Sequence, residues 1–153
     1  MTSGHKKEVE LRPISFQLAL PIRQQVLRQG KSIEACFFSG DKAHSTFHLG
    51  AFEKEKLIGI VSLMQNRNEG FSEENQMQLR GMAVLPEYRN RNIAKKLLHE
   101  SERKLKENKS FFLWCNAREN AIGFYEKHGF KIFGDKFEIP EIGPHYGMYK
   151  QLE

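Results

Sequence analysis

Very little in this 153-residue chain could build a disulfide, a metal centre or a membrane span. It has two cysteines, Cys36 and Cys115, far apart in the chain and without metal-ligand spacing. Met1–Glu10 is polar and charged, with no apolar segment to serve as a secretory signal. Reduced thiols, no bound metal and a cytoplasmic location are therefore the expected state. No apolar run approaches the roughly 20 residues of a membrane helix, and there is no internal repeat, low-complexity stretch or linker. The length supports one core and is too short for two ordinary domains. The expectation is a single domain over 1–153, its core starting near residue 9.

What is present is the balance of a soluble globular protein, with 39% hydrophobic and 28% charged residues. The net charge of +5 fits either an ordinary basic surface or an anionic partner, nucleic acid or a phosphorylated cofactor. The chain lacks an aromatic-interleaved basic strand pair, an RNP-like motif and zinc spacing, so nucleic acid is not the expected partner.

Hydrophobic periodicity gives the elements. Val9, Leu11 and Ile14 suggest a first strand, and Phe16 to Leu27 a helix beginning near Pro21. Arg28 to Ser45 is polar and without clear period, either a short helix or a long loop. Phe47, Leu49 and Ala51 alternate with polar neighbours, and Lys54-Glu55-Lys56 turns the chain into the apolar run Leu57–Met64, which reads as a hairpin. A polar loop follows over Gln65 to Asn75, then a strand from Met77 to Leu85 that Pro86 ends. Ile93 to Lys106 carries Ile93, Ala94, Leu97, Leu98, Ser101 and Leu105 on one stripe of a helix. Phe111 to Cys115 reads as a buried strand, and Arg118 to His128 as a helix stopped by Gly129. Strands over Phe130–Phe133 and His145–Leu152 complete an α+β domain.

The turn before the helix at Ile93 concentrates the positive charge. A helix N-terminus exposes unpaired N–H groups and the positive end of the dipole, which suits a phosphate. Arg89, Arg91, Lys95 and Lys96 crowd that end, each working against the dipole by about 0.3–1 kcal/mol unless an anion is bound.

The run from Leu79 to Leu98 resembles the acetyl-CoA-binding motif of the GNAT acetyltransferases, with Arg89 and Ala94 matching the ends of its Arg/Gln-x-x-Gly-x-Gly/Ala core. Asn120 to Phe130 is similar to the C-terminal motif of that family. Ile142-Gly143-Pro144-His145-Tyr146-Gly147-Met148 resembles the last strand of a bacterial subgroup. Together these cover the C-terminal half, and the N-terminal half follows through the order of its elements.

The resemblance implies a mixed, mainly antiparallel sheet flanked by helices. It further implies an acetyl-CoA-dependent N-acetyltransferase that moves an acetyl group to a primary amine by direct attack in a ternary complex. Met82, Ala83 and Val84 would present backbone groups to the pantetheine arm, with the Val84 N–H on the thioester carbonyl. Arg89, Asn90, Arg91, Asn92, Ile93, Ala94 and Lys95 would hold the pyrophosphate. Asn120 would hydrogen-bond the pantetheine, Phe124 would pack near it, and Tyr125 would donate a proton to the coenzyme A sulfur. Neither cysteine need act as nucleophile.

The family has a glycine where this chain has Asn92. Asn tolerates positive φ next best, but it also caps helices and could occupy an N–H that the phosphate needs. Weakened cofactor binding is expected. For the general base, Glu74, Glu138, Glu141, His48 and His145 are all chemically suitable, as is an ordered water; His145, beside Gly143 and Pro144, is the choice. A protein N-terminus, a lysine or a small amine would serve as acceptor, and dimers are frequent among relatives. The alternatives are a noncatalytic domain that binds CoA or a partner, and a basic nucleic-acid-binding module.

Overall fold

Among the described residues, seven strands form one mixed sheet in the order β1-β2-β3-β4-β5-β7-β6, and helices flank it. The computed structural model describes residues 8–153, so the expectation for the polar N-terminal stretch lies, through residue 7, outside the described residues. The strands are β1 (Val9–Ile14), β2 (Phe47–Glu53), β3 (Lys56–Gln65), β4 (Met77–Val84), β5 (Phe112–Arg118), β6 (Lys131–Ile139) and β7 (Gly143–Gln151). The helices are α1 (Phe16–Ile22), α2 (Ile93–Glu107) and α3 (Ile122–Lys127). Pairs β1/β2, β2/β3, β5/β7 and β6/β7 are antiparallel, whereas β4 and β5 run parallel across the α2 crossover. This is the mainly antiparallel α+β sheet that the sequence implies.

The chain divides into two compact units. The first comprises the described residues through Met64 together with Gly81–Arg103. Its hairpin pairs Glu53 with Lys56 around Lys54, whose φ of 56° makes the tight reversal. Helix α2 buries Ile93, Leu97, Leu98 and Ser101, the stripe read from periodicity. It packs close to β3 because Gly59 has no side chain: a Cβ there would stand 3.1 Å from Ile93 Cγ2 and 3.4 Å from the Ala83 carbonyl.

Helix α1 begins at Phe16, not near Pro21, with extended Ser15 as its N-cap. Pro21 is exposed inside the helix, where its missing N–H forgoes only the bond back to Gln17. A wider turn over Arg23–Leu27 continues the helix and closes with Arg28 N–H on the Arg23 carbonyl, 2.9 Å.

The second unit comprises Gln65–Arg80 and Lys104–Glu153. Phe71, Phe112 and Trp114 form its aromatic core, with Phe133 and Tyr149 packed against them. The loop over Gln65 to Asn75 is not a loose connection. Gln76, 1% exposed, accepts the Asn68 N–H at 2.8 Å and donates to the Asn68 and Glu73 carbonyls at 3.2 and 2.8 Å. The pinned backbone turns Phe71 into the aromatic core, where it lies 4.9 Å from Phe112 and 4.3 Å from Phe133.

Helix α3 ends as the sequence predicts. Gly129, at φ 94°, lets Phe130 N–H return to the Tyr125 carbonyl and its own N–H to the Glu126 carbonyl. Strand β6 extends six residues beyond Phe133, with a register shift between Phe133 and Phe137. Among the described residues, no helix is long and apolar enough to cross a membrane.

Candidate active site

In the first unit, β4 leads into the turn that opens α2. Among the described residues, the only paired positions of β4 with β5 are Met77 with Leu113 and Gln78 with Trp114. Met82, Ala83 and Val84 lie beyond the last of them. Gly81, at φ 65°, interrupts the extended run immediately before these three residues. A left-handed residue inside a strand redirects the backbone groups that follow.

Pro86–Tyr88 then forms a single helical turn, and the next residues curl sharply: Asn90 and Asn92 both take left-handed φ, 66° and 62°. The tolerance expected of Asn92 is therefore used. Its carbonyl accepts the first bond of α2, from Lys96 N–H at 3.0 Å. The N–H groups of Ile93, Ala94 and Lys95 then have no partner within the helix, and no carboxylate stands in its first turn. Alternating left-handed residues with a helix start form the concave array of N–H groups that suits an anion.

The side chains of this segment divide. Arg89, Asn90, Asn92 and Lys95 are exposed, Ala94 is half-buried and Ile93 is core. Arg91 turns back to Glu53 of β2, 3.0 Å away, and lies over the Tyr88 ring. Its guanidinium ties the turn to β2.

In the second unit, Asn120 is exposed in the turn before α3, and Phe124 is half-buried. Tyr125 is 7% exposed and packs edge-on against Phe124 and Phe130, both at 5.2 Å. Burial, with Cys115 nearby, raises its hydroxyl well above the usual tyrosine value, so it stays protonated. Burial also pushes the Cys115 thiol up to about 12. Cys36 is raised too, chiefly by burial, with Arg28 and Arg23 opposing. Neither cysteine is a ready thiolate.

His145 stands on β7 opposite Arg118 of β5 and Phe137 of β6, 4% exposed and stacked on the Phe137 ring at 5.9 Å. Its Nδ1 is 2.8 Å from the Gly143 carbonyl. A carbonyl only accepts, so Nδ1 donates the proton of that contact and Nε2 is the nitrogen left for another partner. His48 differs. Both of its ring nitrogens are engaged inside the first unit, Nδ1 with Ser62 Oγ at 2.6 Å and Nε2 with the Asp41 carbonyl at 3.1 Å. Glu74, Glu138 and Glu141 are all exposed. Sequence reasoning missed the partners of His48, because Arg23, Asp41 and Ser62 sit in separate segments with no shared spacing.

Among the described residues, no group of three or more His, Cys, Asp or Glu side chains could hold a metal ion. The model of the acetyltransferase (GNAT) family matches residues 16–130, and the chain belongs to that family. It is thus an acetyl-CoA-dependent N-acetyltransferase. The chain is 40% identical over 144 residues to an uncharacterized N-acetyltransferase, YitI, of Bacillus subtilis, covering 94% of this chain and 97% of that protein. Its fold superposes on Escherichia coli ElaA with a TM-score of 0.77 at 14% identity, covering 94% and 100% of the two chains. The PaiA N-acetyltransferase of Thermoplasma acidophilum, solved in complex with coenzyme A, gives 0.66 at 21% identity, covering 94% and 99%.

Proposed function

We propose that this chain acetylates a primary amine by direct attack on acetyl-CoA in a ternary complex. The observation that carries the reading is the turn at residues 89–95. Two left-handed asparagines and a helix start present successive N–H groups with no carboxylate among them. Such an array fits a pyrophosphate, and Arg89 and Lys95 add positive charge beside it.

The bound thioester supplies an activated acyl carbon and a thiolate leaving group. Val84 N–H polarises the acyl carbonyl, with Met82 and Ala83 aligning the pantetheine through their backbones. Asn120 offers an amide to the same arm, and Phe124 an apolar surface. Tyr125, held neutral by burial, delivers a proton to the departing sulfur. His145, with Nδ1 committed to Gly143, takes a proton from the acceptor's ammonium at Nε2, directly or through a water, and the neutral amine then attacks. The acceptor is a small amine, a protein N-terminus or a lysine.

The test is turnover of Tyr125→Phe beside His145→Gln with a panel of amines. Loss of a positioned proton donor or acceptor lowers kcat by about 10²–10⁴-fold. We expect both variants to lose kcat with melting temperatures near that of the wild type. Full turnover in a folded Tyr125→Phe protein would remove the acid role, and the same result for His145→Gln would remove the base role.

A further inference from the structure

A buried ionic network lies under β4 in the first unit, and the mechanism above uses none of its members. Arg23 is 0% exposed. Its Nη1 donates to Asp41 Oδ2 at 2.8 Å and to the Cys36 carbonyl at 3.0 Å. Its Nη2 donates to Asp41 Oδ1 at 2.9 Å and to Ser62 Oγ at 3.0 Å. Ser62 accepts from Arg23, so its hydroxyl proton goes to His48 Nδ1, and His48 Nε2–H donates to the Asp41 carbonyl. One arrangement of protons satisfies these contacts. Among the described residues, only Arg23 Nε is a buried side-chain nitrogen or oxygen without a partner.

Two features connect this network to the strand. The Arg23 guanidinium lies 3.8 Å from the centre of the Phe38 ring, and Phe38 N–H donates to Asp41 Oδ2 at 2.8 Å. The ring in turn covers Gly81: a Cβ on that glycine would stand 2.8 Å from Phe38 Cε2 and 3.7 Å from Arg23 Nε. Guanidinium and ring are stacked in turn against Gly81, the left-handed residue that precedes Met82. A buried ion pair is weak evidence for stability, because well-packed apolar residues often do as well. What a doubly anchored fork supplies is geometry.

We infer that Arg23 is a positioning residue for acetyl transfer: locked by Asp41 and Ser62, it holds Phe38 on Gly81 and so fixes the backbone direction of Met82, Ala83 and Val84. The inference rests on the reading of that backbone as the thioester-binding strand. It also turns the stretch from Arg28 to Ser45, polar and aperiodic in sequence, into the support of β4.

Arg23→Lys keeps the charge but loses the fork and the stacking, while Phe38→Leu keeps the Arg23–Asp41 pair and removes the ring. On each full-length protein, we would measure amide hydrogen exchange by NMR and the dissociation constants of acetyl-CoA and CoA by calorimetry. In both variants exchange should rise about tenfold or more at Gly81–Val84 and stay unchanged in β5 and β7. Acetyl-CoA should lose about fivefold in affinity relative to CoA, the value of one hydrogen bond to the acyl carbonyl. A merely structural role would lower the melting temperature and leave the exchange pattern and the affinity ratio as in the wild type; that result sinks the inference alone. A wild-type protein that binds neither ligand would sink the functional reading and the inference with it.

Discussion

Both units have apolar interiors, and they differ in what they add to them. The first buries a charged network, Arg23 with Asp41, Ser62 and His48; the second buries a cluster of rings, Phe71 with Phe112, Trp114, Phe133 and Tyr149. The aromatic cluster is held by area and by edge-on, tilted and stacked ring contacts, which tolerate small shifts. The ionic network tolerates none without leaving a charge unpaired. A segment that must stay in one place is better held by the ionic kind of contact, which is the role we propose for it at Gly81 of β4.

Removing one member of each region gives the largest effects. Arg23→Met leaves Asp41 buried without its cation and should cost about 3–5 kcal/mol. Phe71→Ala should cost about as much through its cavity. The two differ in rescue: adding Asp41→Leu to Arg23→Met should restore much of the loss, and urea melts of the single and double variants measure it. No recovery would mean that the network contributes stability in its own right.

Acidification should separate the regions next. Burial lowers the His48 pKa from 6.5; contact with Asp41 opposes this, and Arg23 adds to it. Between its lowered folded value and 6.5 the unfolded chain binds the extra proton, so stability falls as pH drops below about 6.5. Burial alone would raise Asp41, but the Arg23 fork, the Phe38 N–H and His48 outweigh it, and its pKa is lowered from 3.8. Its contribution is complete above that value and is lost as pH falls through the lowered folded pKa. The buried core of the aromatic cluster, Phe71, Phe112 and Trp114, has no acid or base side chain. Urea melts from pH 8 to pH 5 should show the loss in the wild type and a shallower slope in His48→Gln. Equal slopes would remove His48 from the account.

The smallest effect concerns Asn92. Asn92 is already left-handed, so what glycine adds is room for a phosphate beside the N–H groups of the turn, and Asn92→Gly should tighten acetyl-CoA binding by a few-fold in calorimetry. An unchanged or weaker dissociation constant would show that asparagine is no handicap there.

Local signals were legible from the residues alone. The stripe of α2, the Lys54–Glu55 reversal and the Gly129 stop each depend on neighbours within a few positions, and all three are present. The turn proposed for the phosphates was legible as a place, through the cations and the helix start, although the return of Arg91 to Glu53 was not. The rest depends on contacts between distant segments. Arg23 sits among helix residues with nothing to announce a partner 18 positions on. Phe71 looked like part of a polar loop until Gln76 pinned the turn. Strand β6 ran past Phe133 unseen because most of its residues are exposed, which erases the alternation that marks a half-buried strand.

The central claim is that the turn at residues 89–95 and the strand before it bind acetyl-CoA. Thermal melting with excess acetyl-CoA tests it, with adenosine 3′,5′-bisphosphate as the control for phosphate binding alone. At about 100 times its dissociation constant a ligand adds roughly 2.7 kcal/mol. We expect a rise of several degrees, larger for acetyl-CoA than for the bisphosphate. No rise at millimolar acetyl-CoA would contradict the account.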